Sequence, residues 1–338
     1  MFLMSAQMQK RIIVSILNWN SAAVTLQCIR SLVALESDVA YQAEIVVTDN
    51  GSRPDDYQVL CAALADLPVT LKRNETNLGF AGGHNGMMQA AIDGNADFVW
   101  LVNSDAEVTP ASLNRMLALM DSDSACGAVS PVIVVPGSDK IDFCGARHDW
   151  QKLGSVFSES VEQTRNMEKA HPTDMWLMGA AVMFRVSAIR QTGVLDDRLF
   201  AYFEDDDICA RLSKNGWTSR MALDATVFHP HSNSRLSERP AYYFYLMARN
   251  SFRFWFAHTP APYRSLIRIK LIDRSILVAN RLHSQSCPEK SDACLLGVFD
   301  GQRGATGIWQ LKRKVPVIMR LLRMLLWLNH SKHLETPL

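Results

Sequence analysis

The 338-residue sequence lacks several features that would place it in a broad class at once. Neither sign of charge is in excess: the formal net charge is +1, so the chain as a whole offers no electrostatic basis for binding nucleic acid. No apolar run reaches the about 18 residues that cross a bilayer, and the longest, VPVIMRLLRMLLWL, is interrupted by Arg320 and Arg323. The N-terminal stretch has no small-residue cleavage site, so we expect no signal peptide. We expect a protein that is soluble or bound peripherally to a membrane.

Cysteine is also sparse, and its pattern is uninformative for metal or disulfide chemistry. The seven cysteines are an odd number, form no CxxC pair and lie in apolar contexts. This argues against a disulfide framework and a zinc site, and is typical of reduced core thiols in a cytosolic protein. With 48% hydrophobic and 20% charged residues, the chain is long enough for a full core and a second subdomain.

The sequence does have a regular alternation of short β-branched runs and helical patterns. Such alternation is typical of βαβ units and a mostly parallel sheet, so we expect a Rossmann-like α/β layer over residues 10–135. The predicted order is strand RIIVSIL, helix 22–35, strand EIVVTD, helix 55–64, strand VTLKR, helix 81–92, strand DFVWLVN, helix 111–120 and strand AVSPVIVV.

Polar residues follow the first four predicted strands, at the sheet edge where ligands of open parallel sheets bind. Asn, Asp and Gly are also ordinary turn formers. A turn-forming role would explain any one of these loops, but it explains less well why all four carry such residues. The residues are Asn18, Trp19 and Asn20; Asp49, Asn50, Gly51 and Ser52; Asn74 to Asn77; and Asn103, Ser104 and Asp105.

The third of these loops, NLGFAGGHNGMM, contains a glycine cluster at the start of a helix. Gly79, Gly82 and Gly83 permit close backbone approach, and the free amides of the helix would suit an anion. The spacing differs from the G-x-G-x-x-G of dinucleotide-binding folds and follows the third strand instead of the first. A plain helix-entry loop therefore remains an alternative.

The fourth loop ends an apolar strand with Asn103, Ser104 and Asp105. A carboxylate and an amide oxygen two residues apart are hard ligands for Mg²⁺ or Mn²⁺, which retain waters and bridge substrate phosphates. A simple Asx turn before the next helix is the alternative.

Four consecutive carboxylates, Glu204 to Asp207, separate the aromatic run LFAYF from an apolar-periodic segment. Acids favour the first turn of a helix, so the run would open a helix over 208–215 that Gly216 ends. One or two acids are enough for that purpose, and four repel one another. A nearby cation, or a proton to be accepted, would explain the excess better.

Six sequence blocks follow one another over residues 10–235: VSILNWN, VVTDNGS, NLGFAGGHNGM, LVNSDAEV, GAAVMFRVSAIRQTGVLDDRLFAYFEDDDICARLSKNGW and ATVFHPHS. In this order they resemble the family 2 glycosyltransferases, in particular the rhamnosyltransferase-like branch that builds bacterial surface polysaccharides. The resemblance implies a GT-A fold: a Rossmann-like mixed, mostly parallel sheet flanked by helices, followed by a helical C-terminal region over 236–338. The nucleotide-binding half would cover 10–110 and the acceptor half 111–235.

The same resemblance implies which residues bind the donor and the metal. Asp49 would contact the nucleotide base or ribose, and Asp105, Asn103 and His229 would hold Mg²⁺ or Mn²⁺ on the diphosphate. Asn103 stands where the family has an Asp, so most of the negative charge for the metal falls on Asp105. A purely structural His229 is the alternative. The further implied donor contacts are Asn18, Asn20, Asn50, Asn77, Gly79, Gly82, Asn85, Asn103, Ser104 and Arg249.

The acidic run resembles the family's E-D-x-D-[LI] element, which implies that Asp205 is the general base of an inverting transfer. Asp205 would take the acceptor proton as that oxygen attacks the anomeric carbon, while a cation stabilises the departing diphosphate. Neighbouring acids would raise its pKa by like-charge repulsion. Glu204 would orient the acceptor, and Asp207 would cap the helix.

Two other segments are assigned through the resemblance. Trp176, Gly179 and Ala180 would line the sugar and acceptor pocket, with plain packing as the alternative for Gly179 and Ala180. Arg249, in the aromatic and basic run RPAYYFYLMARNSFRFWFAH, would lie near phosphate, for which its planar guanidinium is suited. An aromatic packing helix is the alternative there.

The last segments, YRSLIRIKLIDRSILVANRLH and LKRKVPVIMRLLRMLLWL, are amphipathic. They fit a helix in a membrane interface, attracted by anionic headgroups, or a helix packed on the protein's own core. A membrane-facing role would suit a lipid-linked acceptor. On a helical wheel, one arc holds Lys312, Arg313, Arg320 and Arg323, and the opposite arc holds Ile318, Leu321, Leu322, Leu325 and Leu328.

The leading interpretation is an inverting, metal-assisted glycosyltransferase in the cytoplasm or at the inner face of the cytoplasmic membrane. Its donor would be a nucleoside-diphosphate sugar, with dTDP-rhamnose favoured, and its acceptor a saccharide or polyprenyl-linked saccharide. One alternative is another phosphate-processing enzyme. A phosphohydrolase would need Asp in place of Asn103, and a nucleotidyltransferase would need a glycine-rich basic loop after the first strand. The other is a catalytically silent nucleotide-binding scaffold, against which the intact Asp49, Asp105 and Asp205 argue.

Overall fold

The computed structural model describes residues 9–36, 41–230, 238–308 and 313–333. These residues form two compact units. Among the described residues, the first unit contains those within 9–147, 156–196 and 208–230. The second unit contains those within 148–155, 197–207 and 238–333. The helical unit therefore includes two short segments, 148–155 and 197–207, that precede the predicted domain boundary at residue 235 in the chain.

Twelve strands and eleven α-helices make up the described residues. The strands are β1 (Lys10–Asn18), β2 (Tyr41–Asn50), β3 (Val69–Asn74), β4 (Phe98–Asn103), β5 (Glu107–Val108), β6 (Cys126–Val134), β7 (Ile141–Phe143), β8 (Ala146–Asp149), β9 (Gly154–Phe157), β10 (Met175–Trp176), β11 (Ala181–Arg185) and β12 (Thr218–Phe228). The helices are α1 (Ala22–Val33), α2 (Pro54–Leu64), α3 (Gly79–Asp93), α4 (Ser112–Ser122), α5 (Val161–Ala170), α6 (Val186–Thr192), α7 (Glu204–Lys214), α8 (Ala241–His258), α9 (Ile267–Ser284), α10 (Pro288–Gln302) and α11 (Val317–His330).

The first unit is built on a mixed sheet of order β3-β2-β1-β4-β11-β6-β12-β5, in which β7 also pairs with β6. Strands β3, β2, β1 and β4 are parallel, which confirms the predicted α/β layer. Strand β11 lies between β4 and β6 and is antiparallel to both, a position that the βαβ pattern did not predict. A smaller three-stranded sheet has the order β10-β8-β9.

The apolar runs of the central strands explain why this sheet forms. Strands covered on both faces are nearly continuous in apolar residues, and Val14, Ile16, Val47, Trp100 and Val102 are fully buried. The helix after β3 approaches the sheet closely because it has glycine at the contact. A Cβ on Gly83 would lie 2.6 Å from a methyl group of Leu17 near the end of β1.

The second unit is mainly helical. Helix α10 packs tightly on α8, where a Cβ on Gly301 would come within 2.8 Å of the backbone oxygen of Arg249. Small residues at this contact let the two helix backbones approach each other. Of the helices that the structure describes, none is long and apolar enough to cross a membrane.

All seven cysteines lie in described segments and are free thiols, as the sequence predicted. Five of them are buried. Burial raises the pKa of Cys28, Cys126 and Cys294 to about 12, which keeps these thiols protonated and weakly nucleophilic.

Candidate functional site

A buried polar network centred on Asn18 joins the carboxyl ends of β1 and β2. The Asn18 amide nitrogen donates to Asp49 Oδ1 at 3.0 Å and to Ser52 Oγ at 3.2 Å. It also lies 3.1 Å from Asp56 Oδ2, while Thr25 Oγ1 donates to Asn18 Oδ1 at 2.7 Å. Asn18 and Asp49 are fully buried, so they hold the two loops together from beneath.

Asp49 has a cationic partner that the sequence analysis missed. Arg73 Nε lies 3.4 Å from Asp49 Oδ2, and the Arg73 guanidinium lies 3.8 Å from the centroid of the Tyr57 ring. The side chain of Arg73 is 38% exposed, whereas that of Asp49 is fully buried. The register of β2 and β3 pairs Asp49 with Arg73. This contact could be predicted only if the strand order were already known.

Asn50 organises the glycine loop that leads into α3. Its Nδ2 donates to Asn77 Oδ1 and to the backbone oxygen of Gly79, both at 3.0 Å. Its Oδ1 accepts the amide of Leu78 at 3.1 Å, and Asn77 Oδ1 accepts the amide of Gly79 at 2.8 Å. Side chains therefore occupy two of the amides near the start of α3 that were expected to serve an anion.

Other residues at the predicted sugar-donor site either pack closely against neighbouring backbone or link two loops by hydrogen bonds. Gly51 has φ +74°, and a Cβ there would lie 2.6 Å from the backbone of Thr76, so only glycine fits. A Cβ on Gly82 would lie 2.9 Å from the Leu78 side chain. Both ends of the Asn85 amide bind the backbone of Leu195, at 2.9 and 3.0 Å. Asn20 accepts the Arg53 amide at 2.9 Å and links the first loop to the second.

The structure brings Asn103, Asp105 and His229 together. Strand β4 ends at Asn103, and His229 directly follows β12. His229 Nε2 lies 3.1 Å from Asp105 Oδ1 and 3.2 Å from Asn103 Nδ2. The Asp105 side chain is 43% exposed, so its carboxylate can reach a ligand, whereas that of His229 is 16% exposed. Ser104 is half-buried between the two other members of the turn.

The electrostatics of this trio favour an ionised Asp105. Burial alone would raise the pKa of Asp105, but the hydrogen bond and charge of His229, with a backbone hydrogen bond, lower it below its ordinary value. His229 Nδ1 is buried and has no hydrogen-bond partner among the described residues. The sheet edge therefore presents a negative charge that an adjacent imidazole helps to maintain.

The residues at this edge fit a hard divalent cation that shares its ligands with a substrate. Within the part of the chain that is described, no cluster of three or more His, Cys, Asp or Glu side chains could enclose a metal. Asp105 supplies a carboxylate and Asn103 an amide oxygen, so phosphate oxygens and waters would have to complete the coordination. Mg²⁺ typically binds in this manner, through one or two carboxylates and substrate phosphates.

The acidic run forms the first turn of α7, which begins at Glu204 and not at residue 208 as predicted. Two histidines that the sequence analysis did not connect with it bind its side chains. His148 Nε2 lies 2.9 Å from Asp206 Oδ1, and His258 Nε2 lies 2.7 Å from Asp207 Oδ1. Because these histidines are 58 and 51 residues away in the chain, no local pattern could have paired them with the acids.

Burial changes the protonation of two of these acids. It raises the pKa of Glu204 well above its ordinary value, and the charge of Asp205 adds to the effect. It also raises the pKa of Asp206 to about 7, although a hydrogen bond with Asp205 opposes the shift. Glu204 Oε2 is buried without a hydrogen-bond partner in the described segments, and Asp205 is half-buried. Burial therefore favours the protonated form of Glu204.

The predicted acceptor residues have different surroundings. Trp176 is buried in the first unit, with its ring 5.5 Å from that of Phe143 and 5.8 Å from that of Phe157. The Ala180 oxygen accepts the backbone amide of Asn103 at 2.8 Å, next to half-buried Gly179. Ala180 thus adjoins the Asn103 turn, whereas the Trp176 ring packs among other aromatic rings.

Arg249 is 2% exposed, and its guanidinium is bound within its own unit. Its Nη2 donates to the backbone oxygen of Leu199 at 2.8 Å, and its Nε donates to Asn250 Oδ1 at 2.8 Å. Burial lowers the pKa of Arg249. These contacts correct the expectation that Arg249 lies ready for phosphate, since its donors are directed to backbone and amide oxygens.

Comparison with known proteins gives a consistent result. The sequence model of a family described as glycosyl transferase family 2 matches residues 12–193. An N-acetylglucosaminyl-diphospho-decaprenol L-rhamnosyltransferase of Mycobacterium tuberculosis is 28% identical over 278 residues, which cover 74% of this chain and 87% of the relative. The galactofuranosyltransferase GlfT1 of the same species is 27% identical over 204 residues, which cover 60% and 65%.

Solved structures share the fold at low sequence identity. Staphylococcus aureus TarS in complex with UDP-GlcNAc matches with a TM-score of 0.57 at 15% identity, over 96% of this chain and 88% of that one. The mannosyltransferase PcManGT from Pyrobaculum calidifontis, in complex with GDP-Man and Mn²⁺, matches with a TM-score of 0.54 at 13% identity, over 97% and 84%. These neighbours confirm the predicted GT-A fold.

Proposed function

The chain belongs to glycosyl transferase family 2 and is a glycosyltransferase, and we propose that it transfers a sugar, with inversion, from a nucleoside diphosphate to a saccharide or lipid-linked acceptor. The observation that carries this proposal is the convergence of Asn103, Asp105 and His229 at the end of β4. That strand is the neighbour of β1, whose end carries the Asn18–Asp49 network.

The nucleoside would bind at the ends of β1 and β2. Asp49 is fully buried, so we assign it the task of orienting Arg73, whose exposed guanidinium would contact the nucleoside. The Asn18, Asn20 and Asn50 side chains would fix the loops around this position, since each bridges two segments of backbone or side chain. A pre-formed site of this kind avoids much of the entropic cost of ordering loops on binding.

The diphosphate would lie at the Asn103–Asp105 turn. Asp105 and Asn103 would hold Mg²⁺ or Mn²⁺, with Ser104 and His229 beside them, and the cation would neutralise charge on the departing diphosphate. The Mn²⁺ in the PcManGT complex supports a divalent ion in this fold. His229 would keep Asp105 ionised, as its effect on the pKa of that residue indicates.

Asp205 would act as the general base. Its carboxylate takes the proton of the acceptor hydroxyl, the acceptor oxygen forms a bond to the anomeric carbon, and the bond from that carbon to the diphosphate oxygen breaks. Attack from the side opposite the leaving group inverts the anomeric configuration. Glu204, whose protonated form is favoured by burial, would orient the acceptor.

The donor class is inferred from the relatives. A dTDP-deoxysugar such as dTDP-rhamnose is favoured because a rhamnosyltransferase is similar over most of both chains. The name of that relative includes a diphospho-decaprenol, which supports a polyprenyl-linked acceptor here. We place the reaction in surface-polysaccharide synthesis, at the inner face of the cytoplasmic membrane.

Helix α11 supplies the structural support for membrane contact. Six large apolar side chains of this helix are 49–79% exposed. The alternative, a helix whose apolar face packs on the protein's own core, would have these side chains buried. The 14 residues of α11 include no acid, and the described cations nearby are Arg313, Lys314, Arg320, Arg323 and Lys332. Lys312 lies outside the described residues. We propose that this apolar and basic face lies in an anionic lipid surface.

A nucleotide panel tests the donor site directly. The melting temperature of the purified protein is measured with dTDP, UDP, GDP and NAD, each with and without Mn²⁺. A ligand that binds only the native state stabilises it by about 2.7 kcal/mol at a hundredfold excess over Kd. The proposal expects a Mn²⁺-dependent rise with one nucleoside diphosphate and none with NAD. No rise with any nucleoside diphosphate would refute the donor site.

A further inference from the structure

The segment that precedes α7 has an unusual backbone. Phe200, Tyr202 and Phe203 have φ values of 67°, 71° and 72°, in the left-handed region. Bulky residues rarely adopt this region, and none of the three is glycine, asparagine or aspartate. Such conformations persist only where the surrounding structure holds them, and they often occur at functional sites.

Asn250, in the middle of α8, holds this segment from beneath. Its Nδ2 lies 3.0 Å from the backbone oxygen of Leu199 and 2.8 Å from the backbone oxygens of Ala201 and Tyr202. Asn250 is 1% exposed. One amide group therefore binds three carbonyls within four consecutive residues, the same stretch in which the chain takes left-handed conformations.

Arg249 fixes the orientation of that amide. Its Nε donates to Asn250 Oδ1 at 2.8 Å, so the Asn250 nitrogen must face the carbonyls. Its Nη2 donates to the Leu199 oxygen at 2.8 Å, the same oxygen that Asn250 binds. The two neighbours on α8 thus act together on one segment of backbone.

The held segment continues directly into the acidic turn. The Phe203 oxygen accepts the amide of Asp207 at 2.9 Å and so forms part of the first turn of α7. The ring of Phe203 lies 5.5 Å from that of Phe254, which is one turn after Asn250 on α8. His258, a further turn along, lies 2.7 Å from Asp207 Oδ1. One face of α8 therefore contacts both the left-handed segment and the carboxylates.

We propose that Asn250 is a positioning residue for glycosyl transfer. By holding the carbonyls of residues 199, 201 and 202, it fixes where α7 begins and with it the carboxylate of Asp205. This inference rests on the proposed function, in which Asp205 is the base. Asn250 does not touch the substrate, so it acts on the rate of transfer and leaves donor binding unchanged.

The first test compares Asn250→Ala with Ser251→Ala. Ser251 is the next residue on α8, and its hydroxyl donates only to the Ala248 oxygen in its own helix, at 2.8 Å. For Asn250→Ala we expect kcat to fall roughly 10- to 100-fold, the order that a displacement of about 1 Å costs. The donor KM and the nucleoside-diphosphate shift in melting temperature should stay at wild-type values. Ser251→Ala should match wild type in all three.

A second change separates positioning from a general loss of stability. Glycine adopts positive φ without strain, so Phe200→Gly should restore part of the lost kcat when added to Asn250→Ala. Hydrogen exchange at the Asp207 amide should speed up in Asn250→Ala and slow again in the double variant. The free energy of unfolding, measured for the same variants, separates this effect from a general loss of stability, in which kcat would follow only the folded fraction.

The outcomes are distinguishable. The inference is overturned if Asn250→Ala keeps wild-type kcat, or if it loses donor binding together with kcat. If that variant does not fold, Asn250→Ser, which retains one donor, takes its place with and without Phe200→Gly. Wild-type kcat in Asn250→Ser alone, or no recovery with Phe200→Gly, would then overturn it. Failure of the proposed function looks different, since the wild-type protein itself would transfer no sugar.

Discussion

The carboxyl groups at the sheet edge of the first unit and those at the start of α7 have surroundings that shift their ionisation in opposite directions. At the sheet edge, Asp49 lies beside Arg73, and His229 lowers the pKa of Asp105. In the acidic turn, burial raises the pKa of Glu204 and brings that of Asp206 to about 7. The first arrangement favours ionised carboxylates, which the proposed metal and diphosphate would require. The second favours the protonated form of its acids, and perturbed pKa values of this kind cluster at functional sites.

The largest expected effect concerns the charged side of this comparison. Asp105→Asn removes the carboxylate that would carry most of the metal charge, so we expect turnover to fall about 10²- to 10³-fold, the order seen when one electrostatic stabiliser is removed. The Mn²⁺-dependent part of nucleotide stabilisation should also disappear. Asp224→Asn, at an exposed position on β12, is the matched control. Unchanged metal dependence in Asp105→Asn would remove the distinction between the two regions.

The next prediction tests whether the sheet edge is pre-formed by its polar network. Asn18→Ala removes the donor shared by Asp49, Ser52 and Asp56 and leaves buried polar groups without partners. We expect the free energy of unfolding to fall by about 2–4 kcal/mol, since each buried group left unpaired costs about 1–3 kcal/mol. Urea denaturation measures the loss. Asn215→Ala, at an exposed position, should change stability by under about 0.5 kcal/mol, and an equal loss there would contradict the network.

A third prediction concerns the proposed lipid contact of α11. Leu325, which is 75% exposed, lies in the apolar face of α11. Leu325→Glu should weaken binding to vesicles that contain phosphatidylglycerol by roughly tenfold or more, because burial of one leucine contributes about 1.5–3 kcal/mol. Co-sedimentation measures binding, and Val59→Glu, an exposed apolar position in the first unit, is the control. Equal binding by both variants would show that α11 is not the lipid contact.

The last prediction concerns the pH dependence that Asp206 contributes to stability. Because the pKa of Asp206 is raised from 3.8 to about 7, this group binds more protons in the folded protein than in the unfolded chain between these values. The contribution of Asp206 to stability therefore falls as pH rises through this window, by up to about 1.4 kcal/mol per pH unit. Asp206→Asn should flatten this slope. If the slope is the same in Asp206→Asn and wild type, Asp206 is not the group responsible.

The sequence predicted local elements far better than the contacts between them. Strands β1, β2, β3, β4 and β6 follow from apolar, β-branched runs, and the polar strand ends follow from the parallel order. The antiparallel insertion of β11 did not follow, because its pairing depends on strands distant in the chain. Similarly, the Arg73 contact with Asp49 depends on sheet register.

The acidic turn shows the same limit. Its helix was predicted four residues late, because carboxylates at the start of a helix resemble a loop until their partners are known. His148 and His258 come from other parts of the chain, and the left-handed residues before Glu204 have no sequence signature. Arg249 was placed near phosphate through the resemblance, but the structure shows it buried among backbone oxygens. The residue types indicated which interactions each side chain could make, but they did not indicate which residues it would contact in the fold.

The central claim is that Asp205 accepts the acceptor proton while the sheet edge of the first unit binds the donor. The most direct measurement is the rate of sugar transfer by Asp205→Asn, together with its nucleoside-diphosphate shift in melting temperature, against the exposed control Asp197→Asn. We predict that transfer falls by about 10²- to 10⁴-fold, the contribution of a general base, while the melting shift remains at the wild-type value. Full transfer activity in Asp205→Asn would contradict the account.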